Sequence, residues 1–287
     1  MKVVFLGTGT GVPVPTRGYA GIYVRAGREH VLLDAGPGTL RQLSRLGVTF
    51  LTLDRLFLTH FHPDHCLDLV SILFAMRLPA ATIPSHPLYA AQAGIPQPAV
   101  GSPSAADTSS AARTVPPRSR TTPFTIYGPR GLTQLYRKLN TAFHGWIAPR
   151  TYRLILKEIG ETTLKLPGYI VRTKRMNHAG GQALGYRFEA RGKSVVYSGD
   201  TDLCPAIVEL GRAADLLILE CSVTDERKVS GHLTPTECGR IAAQAGCKQL
   251  ALTHFYPVFK GYDIRRRVRR AFRGPLVLAR DCHRRII

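Results

Sequence analysis

His60, His62, Asp64 and His65 stand in the run Leu58-Thr59-His60-Phe61-His62-Pro63-Asp64-His65, directly after the apolar stretch Leu56-Phe57-Leu58. Three imidazoles and a carboxylate at the end of an apolar strand make poor core material, because each ring needs its own hydrogen-bond partner once buried. A divalent cation satisfies all of them together. If the strand ends near Thr59, His60 and His62 sit two residues apart and point the same way, as alternate residues of extended chain do, and grip one ion. Asp64 and His65 follow where the chain turns into the next apolar segment, so they approach from another direction and can hold a second ion. Mixed imidazole and carboxylate ligands favour zinc, with manganese or iron as substitutes.

The elements that must position these groups read out of the hydrophobic pattern. Strands are expected at residues 3–6, 22–25, 31–34, 56–59, 152–157, 169–175, 183–188, 194–198, 216–220, 249–253 and 276–279, with a further strand and turn at 126–129. Helical periodicity covers 39–46, 68–78, 132–143, 203–210, 235–245 and 264–273, with Pro235 suited to a first turn. This order suggests an α+β chain folded as an αββα sandwich, two mixed sheets face to face with helices on the outer faces. Ligands at strand ends would then converge along one edge. Gly7-Thr8-Gly9-Thr10-Gly11 is not a dinucleotide turn, because Pro13 and Pro15 prevent a helix from opening after it.

The run from His60 to His65 matches the HxHxDH signature of the metallo-β-lactamase superfamily. The opening Met1 to Gly11 is similar to the first strand and glycine turn of its ribonuclease Z-like branch. Asn177-His178 resembles the third ligand motif, Ser198-Gly199-Asp200-Thr201 the element with a bridging aspartate, and Thr253-His254-Phe255 the last ligand histidine. The resemblance spans nearly the whole chain, in order. It implies one metal on His60, His62 and His178 and another on Asp64, His65 and His254, with Asp200 bridging. Glu220 and His232, in Leu219-Glu220-Cys221 and Gly231-His232-Leu233-Thr234, resemble the branch's leaving-group pair. His232 would then donate the proton and Glu220 orient it. True β-lactamases lack this pair. Two metals about 3.5–4 Å apart lower the pKa of a bridging water and stabilise an in-line displacement at phosphorus. Phosphodiester hydrolysis is the expectation, with Asp64 as the general base.

Composition fits one cytoplasmic domain over residues 1–287, since 44% hydrophobic residues suffice for a large core. No run of about 18 apolar residues marks a membrane span. The N-terminus reads as a first strand rather than a signal peptide. The six cysteines show no CxxC spacing and are expected to be reduced and mostly buried. A homodimer is expected, as relatives implied by the resemblance often dimerise.

Two departures from the family bear on substrate. Residues 79–123 carry nine prolines among alanines and serines, and are expected to form a disordered insertion, tolerated on the surface rather than acting as a lid. Ribonuclease Z proper carries a long tRNA-binding arm between the strands resembling 185–188 and 195–198; here only residues 189–194 separate them. The arm is missing, which counts against tRNA processing but leaves the metal chemistry untouched. The formal charge is +20, with ten Lys or Arg against two acids from residue 251 onward. Arg265, Arg266, Arg267, Arg269, Arg270 and Arg273 would line the outer face of the helix at 264–273, with Ile264, Val268, Ala271 and Phe272 inward. Such a face is either a phosphate-attracting surface or simply a solvated one. The expected activity is a di-metal phosphodiesterase cutting RNA, as an endonuclease, or a small or cyclic phosphodiester. The alternative is a hydrolase of a thioester, lactone or sulfate ester. A non-catalytic nucleic-acid-binding protein would not require all seven ligands.

Overall fold

The computed structural model describes residues 1–78, 122–178, 180 and 182–287. Most of the insertion expected at 79–123 lies outside the described residues. Two seven-stranded sheets form the body of the protein. The first runs, in spatial order, Arg284–Ile286 (β14), Lys2–Gly7 (β1), Gly21–Ala26 (β2), Glu29–Leu33 (β3), Arg55–Phe57 (β4), Phe124–Gly128 (β5) and Leu154–Glu158 (β6). The second runs Leu276–Leu278 (β13), Leu250–Thr253 (β12), Leu216–Glu220 (β11), Lys193–Tyr197 (β10), Ala183–Ala190 (β9), Tyr169–Met176 (β8) and Thr162–Leu166 (β7). Both are mixed. β3 to β6 and β10 to β13 are parallel, and the remaining pairs are antiparallel.

Parallel strands are covered on both faces and so read as continuous apolar runs. Leu216–Glu220 and Leu250–Thr253 are buried at every position. Between the sheets lies an aromatic centre. Phe57 stacks on Tyr127 with ring centroids 4.5 Å apart and meets Tyr186 and Phe188 edge-on at 5.3 Å. Outside each sheet a further apolar layer packs under helices. Thr39–Arg45 (α1), Pro63–Cys66 (α2), Leu69–Arg77 (α3) and Leu132–Ala142 (α4) cover the first sheet. Pro205–Leu210 (α5), Pro235–Ala245 (α6) and Ile264–Val268 (α7) cover the second. The αββα sandwich expected from the order of elements is therefore the observed fold. Among the described residues no helix is long and apolar enough to cross a membrane.

Several boundaries differ from the sequence reading. The helix expected at 68–78 is α3, Leu69–Arg77, but the metal motif before it is not loop: the one-turn α2 already carries Asp64 and His65, with Pro63 at its first position. β4 stops at Phe57, although Leu58 N–H still donates to Tyr127 O at 2.8 Å. β7 and β14 were not foreseen; both are short edge strands with mostly exposed side chains, so apolar alternation is weak in them. The basic helix ends at Val268 instead of 273, and Ala271 is exposed, because Gly274 and Pro275 turn the chain into β13. The arginine face is correspondingly broken up. Arg267 pairs with Glu226 at 2.5 Å, Arg269 Nη1 donates to Gly274 O at 2.5 Å, and Arg265 Nη1 donates to Leu276 O at 3.3 Å.

The short link between β9 and β10 is a two-residue hairpin. Ala190 pairs with Lys193, and Arg191 and Gly192 have φ of 50° and 68°. Two consecutive positive φ values suit the twist of a tight hairpin, and glycine adopts the second without strain.

Candidate metal centre

The site lies at the carboxyl ends of the parallel strands, where open α/β sheets place their ligands. Asp34 follows β3, His60 and His62 follow β4, Asp200 follows β10, Glu220 ends β11 and His254 follows β12; His178 follows β8. Asp34 and His254 have φ of 56° and 60°, conformations that non-glycine residues adopt rarely and that cluster at functional sites. Gly199, with φ of 59°, lets the turn before Asp200 cross Thr59: a Cβ there would meet the Thr59 side chain at 2.7 Å.

All seven residues expected as ligands come together. Ligand atoms of His60, His62, His178 and Asp200 lie within 4.8 Å of one another, and the same holds for Asp64, His65 and His254. In the first group His178 Nε2 is 3.3 Å from His62 Nδ1. In the second, His65 Nε2 is 3.0 Å from His254 Nε2, and Asp64 Oδ2 is 3.4 Å from His254 Nε2 and 3.8 Å from His65 Nε2. Asp200 faces both. Its Oδ2 lies 4.0 Å from His60 Nε2 and 3.9 Å from His178 Nε2, whereas Oδ1 lies 3.3 Å from His65 Nε2.

Hydrogen bonds at the far side of each ring fix which nitrogen faces the centre. Thr59 donates its hydroxyl to Asp34 Oδ2 at 2.9 Å, so its oxygen is left to accept from His60 Nδ1–H at 3.0 Å. His65 Nδ1–H donates to Asp34 Oδ2 at 2.8 Å, and His178 Nδ1–H to Gly231 O at 2.8 Å. Ser222 donates to Glu220 Oε2 at 2.5 Å and thereby accepts from His254 Nδ1–H at 3.0 Å. These four tautomers leave four Nε2 lone pairs directed inward, the arrangement by which outer hydrogen bonds orient metal-binding imidazoles. Among the described residues, His60 Nε2 and Asp200 Oδ1 are buried without a hydrogen-bond partner. Burial and the neighbouring His65 drive the His60 imidazole down to about 2, so it stays neutral with its lone pair available. For Asp64 burial opposes the charge, yet His254 and His65 hold the carboxyl at about 2. On His65 burial again opposes the charge, but Asp200 and Asp34 raise its pKa well above the usual range, so a cation taking its Nε2 position would displace a proton there. Inward lone pairs, orphaned buried acceptors and two ionised carboxylates fit divalent cations.

Beside this cluster, His232 Nδ1 lies 2.9 Å from Glu220 Oε1 and 3.9 Å from Asp200 Oδ2. Burial lowers the His232 pKa, but the hydrogen bond and charge of Glu220 outweigh it, and the net shift is upward. Glu220 is fully buried and also accepts from Thr201 N–H at 3.0 Å. The loop bearing His232 is tied down by Lys228, whose Nζ donates to His232 O at 2.5 Å, Asp202 Oδ1 at 2.6 Å and Glu237 Oε2 at 2.8 Å. Asp202 Oδ2 accepts from Gly231 N–H at 2.9 Å, linking that clamp to the carbonyl that orients His178. α6 starts immediately afterwards with Pro235 in its first turn, as the sequence foretold, and a capping box of Thr234 and Glu237 closes its N-terminal end. Asp34, Thr59, Ser222 and Lys228 were missed by sequence reasoning. For Asp34 alone a signal existed, a carboxylate closing the apolar run of β3.

The profile described as the beta-lactamase superfamily domain matches residues 29–255. The chain belongs to the metallo-β-lactamase superfamily. Within this superfamily its relatives include the ribonuclease Z of Nocardia farcinica, 30% identical over 312 residues and covering 99% of this chain and 96% of that protein. The ribonuclease Z of Streptomyces coelicolor is 31% identical over 311 residues, with coverage of 99% and 96%. The resemblance to the ribonuclease Z-like branch is thus borne out. Among solved structures, the metallo-β-lactamase fold protein YhfI from Bacillus subtilis superposes with a TM-score of 0.73 at 22% identity, covering 99% of this chain and 98% of that one. Human tRNase Z, short form, gives 0.71 at 23% identity, covering 100% and 99%. These two establish the superfamily fold.

Proposed function

We propose that the chain is a metal-dependent phosphodiesterase of the ribonuclease Z-like kind, acting on RNA. The observation that carries the reading is the His232–Glu220 pair, 2.9 Å apart and set 3.9 Å from Asp200, which supports a proton-donor role for His232 beside the cluster. Relatives named ribonuclease Z along nearly their whole length support the choice of RNA over another ester. His60, His62 and His178 would hold one ion and Asp64, His65 and His254 a second, with Asp200 between them; zinc is the first candidate, then manganese or iron. When bound, such ions supply Lewis acidity, a water acidified toward neutrality and a counter-charge for a phosphoryl group.

The protein's own groups do the rest. His232, oriented at Nδ1 by Glu220 and biased toward its charged form, delivers the Nε2 proton to the leaving oxygen. Asp64, ionised and facing the cluster through Oδ2, takes up the proton of the attacking water on its second oxygen. The Lys228 clamp keeps the His232 loop from drifting as charge builds up.

The full reading is of a single catalytic domain over residues 1–287, cytoplasmic, with all six cysteines free. Exposed Leu67, Phe74 and Trp146 offer an apolar face for a homodimer, which static light scattering checks. The activity is tested by assaying the zinc- or manganese-loaded protein in parallel on bis(p-nitrophenyl) phosphate, a 2′,3′-cyclic nucleotide, a precursor tRNA and a thioester. Turnover of the phosphodiesters is expected. Turnover of the thioester alone overturns the reading.

A further inference from the structure

A cavity of about 460 Å³ opens between the turn after β5, at Pro129 and Arg130, and the residues Arg175 of β8 and Gln182 and Leu184 at the start of β9. Two contacts tie it to the metal-site loop. Leu184, in its wall, donates its N–H to Thr59 O at 2.9 Å, and the turn at Gly128 and Gly131 packs against the ring of Phe61, which lies between His60 and His62.

The lining has a definite chemistry. Arg130 and Arg175 stand at its mouth, both exposed, with the Arg175 guanidinium against Gly160. Glu158 also lines the cavity, but its Oε1 accepts from Thr133 N–H at 2.9 Å in the first turn of α4, so that carboxylate is committed to the helix terminus. Among the described residues neither guanidinium has a hydrogen-bonded carboxylate; Glu158 is held below its usual range first by its Thr133 hydrogen bonds and, more weakly, by the charge of Arg130. Other arginines of this chain, such as Arg55 on Glu29 and Arg187 on Glu189, are so bonded. Ile159 and Leu184 form an apolar wall, and the Gln182 amide adds both a donor and an acceptor. Two cations spaced around a cleft of this size, with an apolar wall and one amide, suit a nucleotide: phosphates on the arginines, the base against the wall, the base edge on Gln182.

We infer that this cavity is a subsite for a single-stranded RNA nucleotide flanking the scissile phosphodiester. The inference rests on the phosphodiesterase reading and assigns it a polymer grip that does not need the absent arm. Backbone phosphates bound here account for part of the affinity, and that part is salt-dependent.

The probe is a fluorescent single-stranded oligoribonucleotide with phosphorothioate linkages, titrated by anisotropy into the metal-loaded protein over a range of salt. For Arg130→Ala/Arg175→Ala the Kd is expected to rise at least about tenfold. The slope of log affinity against log salt should shrink by about 1.4, the value for two phosphate contacts on a single strand. Arg130→Lys/Arg175→Lys should restore the slope, and Gln182→Ala should raise Kd without changing it. A wild-type protein that does not bind the probe, or a double alanine variant that binds it as tightly as wild type, overturns the subsite. Failure of the loaded wild type to turn over bis(p-nitrophenyl) phosphate, with probe binding intact, overturns the catalytic reading instead.

Discussion

Asp34 Oδ2 lies 2.8 Å from His65 Nδ1, and the same oxygen also accepts the hydroxyls of Thr59 and Tyr197, each at 2.9 Å. One carboxylate therefore ties the loop after β3, the metal-site loop and the second sheet into a single knot. Removing it frees the ring that faces His254. Asp34→Ala is expected to weaken zinc affinity about 10- to 100-fold, read by competition with a chromophoric chelator. Asn tolerates the positive φ as Asp does, so Asp34→Asn isolates the loss of charge from any backbone effect.

Asp200 and His232 are neighbours with separable duties. Asp200→Ala should abolish both metal content, measured by elemental analysis, and turnover, because its oxygens face both groups of histidines. His232→Ala should retain metal yet lose about a hundred- to ten-thousand-fold in kcat, the range for general acid–base catalysis. Normal turnover in purified His232→Ala would remove the leaving-group role.

Away from the site, Phe57 is fully buried and in contact with three aromatic rings. Phe57→Ala should cost about 3–5 kcal/mol in urea unfolding through lost transfer energy and the cavity left behind. A cost near zero would mean that the space between the sheets can collapse.

Asp215 supplies a pH dependence. Burial opposes its charge, but the Lys248 ammonium at 2.9 Å and the Ser194 amide at 2.8 Å bring the carboxyl down to about 2 from an ordinary 3.8. A carboxylate with a lowered folded-state pKa stabilises the fold above its unfolded value, and this is lost as pH falls through the folded one. The urea-midpoint gap between wild type and Asp215→Asn should thus be constant above about pH 5 and close between about pH 4 and pH 2. A gap that stays constant throughout would show that the lysine pairing contributes nothing.

The site was legible in the sequence to the extent that its residues are local. His60 to His65 form one contiguous run, and Asp200 and His254 each end an apolar strand, so position and chemistry coincide. Ser222 and Lys228 were illegible for the opposite reason. A serine two residues beyond Glu220 has no signature, and its bridge to His254 exists only once β11 and β12 pair. Lys228 reads as one more surface cation until the fold brings Asp202 and Glu237 to it. At the level of elements, buried strands were found and exposed edges were not, since β7 has scarcely any apolar alternation to detect. Residues 264–273 have helical spacing throughout, yet the buried Phe272 packs from a turn rather than from the helix.

The tight turn at Arg191 and Gly192 makes reach and cutting independent properties of this architecture. β9 and β10 keep their full register up to the turn, from Tyr197 opposite Tyr186 to Lys193 opposite Ala190, while Asp200 sits at the other end of β10. A longer segment grafted in place of those two residues would project from the end of the hairpin away from the His/Asp cluster. The position is thus a socket, at which an appendage could be added or exchanged without touching the His/Asp cluster.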